Sequence, residues 1–108
     1  MDIKRIEEEI NQFAEERNWD KFHKPKNLAM ALSVEASELV EIFQWKDDDD
    51  FDDPVTIKAV AEELADIFYY TMRMCQKLEI DLEEAFFKKM VKNREKHPIK
   101  QVKGKLPN

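Results

Sequence analysis

Apolar residues recur along this chain at three- and four-residue intervals, the spacing that sets them on one face of an α-helix. Ile3, Ile6, Ile10 and Phe13 form the first stripe. Asp2 stands in front of it as a helix cap, so a first helix is predicted from there to about Arg17. Leu28, Ala31, Leu32, Leu39 and Ile42 form the second stripe and predict a helix from near Asn27 to near Trp45. The connector "NWDKFHKPKN" holds Pro25, which lacks a backbone donor and restricts its predecessor, so no helix should run through it. A third segment, about Val55 to Leu78, is apolar around much of its circumference and is expected to be the most buried element. Its polar residues divide into a solvent sector of Lys58, Glu62, Arg73 and Gln76, and a different sector where Glu63 and Asp66 accompany Ala59 and Tyr70. Asp81 and Glu84 have the spacing of a capping box and open a fourth helix that ends before His97 and Pro98.

Composition sharpens this into a fold class. The 108 residues are 43% hydrophobic and 39% charged with one Gly and four Pro, which suits long helices joined by few turns. The expected fold is all-α, four to five helices in one domain over residues 1–98, with 99–108, "IKQVKGKLPN", as a loose C-terminal tail. A helix apolar on most sides cannot be covered by three neighbours in so small a chain. Oligomerisation should therefore complete the bundle, as a dimer at least and a tetramer by preference.

Charge and leader signals narrow the partners. A formal net charge of -6 argues against a nucleic-acid polymer or an anionic membrane surface. No run reaches the roughly 18 apolar residues of a membrane span, and "MDIKRIEEEI" is amphipathic and acidic, unlike a signal sequence. Cys75 is the single cysteine, so no internal disulfide framework exists. A cytoplasmic protein is expected. The run "DDDDFDD" before Pro54 reads as a solvated, self-repelling loop, because it lacks the Gly turn of a calcium loop.

One residue breaks the amphipathic pattern. At about 100° per residue, Glu35 projects about 20° from Leu28 and about 40° from Leu39, inside the apolar stripe, with Glu38 at its edge. The third helix repeats the pattern as Glu63-x-x-Asp66. Residues three apart on a helix are neighbours, so antiparallel packing of the two helices would bring four carboxylates together. Such spacings are common on solvated helix faces, but a set turned inward would repel itself and suffer desolvation unless a cation held it. Hard cations prefer oxygen, and Mg²⁺ often completes its shell with substrate phosphates; Mn²⁺ is a substitute. A di-iron bundle normally uses Glu-x-x-His on two helices, and neither His23 nor His97 stands three residues after a Glu. On the fourth helix, Lys89 and Asn93 share the face of Leu82, Ala85 and Phe86. Lys89 either snorkels or neutralises a phosphate oxygen, which Asn93 can also hydrogen-bond. Trp19, Trp45 and Tyr70 would be core residues in most helical proteins, but beside a metal they offer a slot that stacks a base.

The stretches "NWDKFHKPKNLAMALSVEASELVEIFQWK", "EELADIFYY" and "KMVKNREKHP" resemble the all-α nucleotide pyrophosphohydrolases of the MazG superfamily, most closely its dCTP pyrophosphatase branch. The likeness runs from about Ile3 to Pro98. It implies a MazG-like bundle in which Glu35, Glu38, Glu63 and Asp66 bind Mg²⁺ and Trp19, Trp45, Tyr70, Lys89 and Asn93 contact the nucleotide. It further implies hydrolysis of a nucleoside triphosphate to the monophosphate and pyrophosphate by assembled subunits. Relatives in this branch can place a His where this chain has Ile10, which changes the wall offered to the base.

The reading from sequence is a homo-oligomeric, Mg²⁺-dependent nucleoside triphosphate pyrophosphohydrolase favouring dCTP or a modified pyrimidine deoxynucleotide, with Glu38 as the proton acceptor. The alternatives are a catalytically silent nucleotide-binding module and a structural bundle whose acidic pairs set oligomer register.

Overall fold

A computed structural model describes residues 1–105. It is all-helical over that range: α1 (Ile3–Glu16), a 3₁₀ turn (Asp20–Phe22), α2 (Pro25–Phe43), α3 (Pro54–Leu78), α4 (Leu82–Lys96) and α5 (Ile99–Val102).

The helix starts are written locally. Asp2 accepts from the Arg5 N–H at 3.1 Å and Asp81 from the Glu84 N–H at 3.1 Å. Asp53 accepts from both the Thr56 N–H at 3.0 Å and the Thr56 hydroxyl at 2.6 Å. Each cap satisfies a donor that the first helical turn leaves open. Pro25 begins α2 instead of only stopping what precedes it, because a first-turn residue needs no amide hydrogen. At its far end α3 closes on Glu79, which adopts left-handed angles and donates its N–H to the Cys75 carbonyl. Ile99–Val102 adds one helical turn where the sequence reading expected loose chain, and Leu106–Asn108 of that tail lie outside the described residues.

α2 and α3 form the main packing pair, and α1 leans on α3. The pair is antiparallel: Phe43 lines a cavity with Ile57 and Val60 at one end, while His23, just before α2, accepts a hydrogen bond from Arg73 at the other. Ile10, Ala14, Leu28, Met72 and Cys75 make the apolar core. Among the described residues α4 makes no extended packing with another helix, and none of its residues is buried.

α3 holds more buried residues than any other helix described, as expected, although Ile57 and Leu64 are half exposed. One expectation needs correction. Arg73, assigned to the solvent sector, is only 5% exposed, and Gln76 beside it is half-buried. The reason is a tertiary partnership: Arg73 finds enough acceptors on other elements to compensate its loss of water. The radius of gyration of 17.2 Å also exceeds the ~13 Å of a compact chain this long. With Val34, Val40, Phe86, Phe87 and Val91 more than half exposed, a single chain leaves much apolar surface uncovered.

Candidate metal centre and adjoining cavity

The antiparallel pairing of α2 and α3 sets Glu35 opposite Glu63 and Asp66. One carboxylate oxygen from each lies within 4.8 Å of the others. Glu35 and Glu63 are half-buried, and each keeps a buried Oε2 without a hydrogen-bond partner among the described residues. Glu38, one turn along α2, is exposed, yet its charge and hydrogen bonding reach both Glu35 and Glu63.

Electrostatics registers the crowding. Burial, then hydrogen bonding with Glu63 and Glu38, pushes the Glu35 carboxyl up to about 7. For Glu63, a hydrogen bond from Glu35 pulls the pKa down, but burial and the charges of Glu38 and Asp66 leave it raised overall. Without a cation the cluster must hold a proton that isolated carboxylates would release. Oxygen-only donors and two buried, partnerless oxygens fit a hard divalent cation such as Mg²⁺ or Mn²⁺.

A cavity of about 320 Å³ opens beside this cluster. Glu35 and Asp66 line one side, and Ile10, Phe13, Trp19 and Tyr70 supply most of its apolar wall. Phe13 holds Trp19 edge-on at a centroid distance of 5.7 Å and an interplanar angle of 76°. Trp19 remains 42% exposed, so it retains surface on which to stack a ligand. A wider groove of about 1270 Å³ between α1, the end of α3 and α4 is lined by none of the four carboxylates, which places it away from the acidic cluster.

Of the residues singled out in the sequence, the fold thus brings Glu35, Glu63, Asp66, Trp19 and Tyr70 together, with Glu38 at the margin. It does not bring Trp45, Lys89 or Asn93 to the cavity within one chain. Trp45 is 90% exposed beyond the end of α2. Lys89 is exposed on α4, and Asn93 makes its contact within that helix, Nδ2 donating to Met90 Sδ at 3.8 Å.

Sequence reasoning missed a buried polar lock behind the cavity. Arg73 donates through Nε to His23 Nδ1 at 3.0 Å and through Nη2 to Asp20 Oδ1 at 2.8 Å. Its Nη1 donates to Asn11 Oδ1 at 3.0 Å and Gln76 Oε1 at 2.9 Å, and Lys77 also bonds Asp20. The lock ties the 3₁₀ turn, and hence Trp19, to α1 and α3. Burial, then the Arg73 charge, lowers the His23 pKa and keeps the ring neutral. One signal was available: Arg73 lies seven residues after Asp66, about 20° away on the same helix face.

A MazG-like family model matches residues 30–105, a span containing all four carboxylates. The chain belongs to the MazG-like family. It is 38% identical over 107 residues to dCTP pyrophosphatase 1 of Mus musculus, covering 95% of this chain and 61% of that one. The human dCTP pyrophosphatase 1 is 40% identical over 101 residues, covering 90% and 58%. The MazG-like chain therefore spans about three-fifths of the length of these curated relatives. Among solved structures, a pyrophosphatase from Archaeoglobus fulgidus superposes with a TM-score of 0.81 at 38% identity, covering 91% of this chain and 94% of that one.

Proposed function

We propose that this MazG-like chain is a Mg²⁺-dependent nucleoside triphosphate pyrophosphohydrolase, acting on dCTP or a modified pyrimidine deoxynucleotide. The observation that carries this reading is the pair of buried, partnerless oxygens of Glu35 and Glu63, with Asp66 beside them, on the wall of an aromatic cavity. The names of the relatives and of the archaeal structure support it.

Glu35, Glu38, Glu63 and Asp66 would hold the ion. Bound Mg²⁺ would neutralise phosphate oxygens, lower the pKa of water and help orient the triphosphate. Trp19 and Tyr70 position the base. Glu38, the most solvent-accessible member of its acidic pair, accepts the proton of the water that attacks the α-phosphorus. The new P–O bond forms as the bond from the α-phosphorus to the bridging oxygen breaks, and pyrophosphate leaves with that electron pair.

Assembly is part of the proposal. The chain is a homo-oligomer, a tetramer in preference to a dimer, in which covering the exposed apolar faces also brings Trp45, Lys89 and Asn93 to a nucleotide. No nucleic-acid polymer or membrane takes part, and the location is cytoplasmic; among the described residues no helix is long and apolar enough to cross a membrane. The test is pyrophosphate release from a panel of common and modified nucleoside triphosphates, with Mg²⁺ and with EDTA, alongside sedimentation at micromolar concentration. Metal-dependent release of monophosphate and pyrophosphate by an oligomer is expected. Absence of hydrolysis across the panel would defeat the catalytic reading, and a stable folded monomer would defeat the assembly.

A further inference from the structure

The cavity beside the acidic cluster contains a hydroxyl that the packing of the protein does not require. Tyr69 lines the cavity, and its Oη is buried without a hydrogen-bond partner among the described residues. Its ring is fixed by edge-to-face packing against Phe13 at 5.8 Å, Tyr70 at 5.1 Å and His23 at 6.5 Å. A phenylalanine would make the same ring contacts without burying an unpaired oxygen, which is unfavourable unless something later occupies it. Burial raises the phenol pKa against the opposing charge of Arg73, so the group stays protonated and can both donate and accept.

The surroundings identify what would meet it. Phosphate is disfavoured next to the hydroxyl, because Glu9, a carboxylate outside the metal-holding set, lines the same small space, while the ion that would draw phosphate belongs to Glu35 and Asp66. A flat apolar ring with a polar rim is favoured, because Phe13, Trp19 and Tyr70 enclose it. His23 adds a second polar contact on that wall: with Nδ1 accepting from Arg73, the ring hydrogen is assigned to Nε2, which makes that atom a donor. The volume of about 320 Å³ stands at the lower end of ligand cavities, ~300–1,000 Å³, enough for a base while the phosphates remain at the carboxylates.

We propose that the Tyr69 hydroxyl is a specificity determinant that hydrogen-bonds the polar edge of a pyrimidine base held beside Trp19. This rests on the nucleotide reading given above and adds the residue that distinguishes a base from any other flat ring. Stacking tolerates every base, whereas a placed hydrogen bond penalises a ligand that cannot complete it.

The experiment compares wild-type protein with Tyr69→Phe in binding dCTP and base-free deoxyribose 5′-triphosphate, by calorimetry with Ca²⁺ replacing Mg²⁺. The variant should bind dCTP about tenfold more weakly, bind the base-free ligand unchanged, and melt at the same temperature or higher without ligand. Equal weakening toward both ligands, or undiminished dCTP binding, would overturn the proposal, as would a lower melting temperature with no change in the ratio of the two affinities. Pyrophosphate release with Mg²⁺ is measured in parallel. Wild-type protein that prefers dCTP to the base-free ligand but does not hydrolyse it would refute the reaction and leave the hydroxyl to be judged by the binding ratio. Wild-type protein that binds neither would overturn both.

Discussion

Replacing Glu35 by glutamine should stabilise the metal-free protein and abolish its stabilisation by Mg²⁺. The carboxyl is displaced from 4.5 to about 7, chiefly by burial. At ~1.4 kcal/mol per pKa unit, that displacement disfavours the ionised form by about 3 kcal/mol. Solvent reaching the cluster reduces the effect to about 1–2 kcal/mol. The sign follows from proton uptake: between pH 4.5 and about 7 the folded chain retains a proton that the unfolded chain has released. The contribution of Glu35 to the stability of the metal-free wild type therefore falls as pH rises through that window, and the penalty is complete above it. Glutamine cannot ionise and lacks this slope. Urea unfolding in EDTA, at one protein concentration, should show the two proteins close together near pH 4.5 and Glu35→Gln ahead by about 1–2 kcal/mol near pH 8. Mg²⁺ should reverse the order, because an ion at a hundredfold its dissociation constant stabilises the wild type by about 2.7 kcal/mol. The His23 titration is common to both proteins and cancels. A stability gap independent of pH, or a wild type indifferent to Mg²⁺, would refute the assignment of this cluster to a cation.

Asp66→Asn should keep the fold but remove metal-dependent pyrophosphate release, and wild-type turnover by this variant would disprove its role as a ligand. Lys89→Met should keep the same sedimentation profile while raising KM for a triphosphate, and unchanged kinetics would return Lys89 to a packing role. Arg73→Met should cost about 2–3 kcal/mol in thermal or urea unfolding, since it removes hydrogen bonds from a buried charge while Asp20 keeps Lys77 and solvent. The same variant should lose part of the acid sensitivity of the wild type: the lowered His23 pKa makes stability fall as pH drops below about 6.5, because only the unfolded ring takes up the proton there. Ile10 forms an apolar wall of the cavity, so 5-methyl-dCTP should be hydrolysed at least as efficiently as dCTP. Ile10→His should shrink that advantage, the buried methyl contributing on the order of 1 kcal/mol, and purine triphosphates as the best substrates would contradict the slot.

The helices were legible because the interactions that start and face them act over three or four residues. Asp2 and Asp81 reach only to Arg5 and Glu84, and the stripes through Ile10 and Leu28 recur within single helices. Glu35 was legible for the same reason, since a carboxylate in an apolar stripe is anomalous before any neighbour is known, and Glu63 and Asp66 were legible because they repeat its three-residue spacing on the next helix. Tertiary structure alone decided the rest. Arg73 was read as solvated because its own helix offers it little, yet its partners Asp20 and Asn11 lie 53 and 62 residues away in sequence. Trp19 and Trp45 looked alike as flanking aromatics, but the turn locked by Arg73 carries one into the cavity while the other stands past the end of α2. Nothing about a tyrosine in an apolar run shows whether its hydroxyl will reach water. That depends on which rings close around it, and for Tyr69 they come from α1, α3 and the connector before α2.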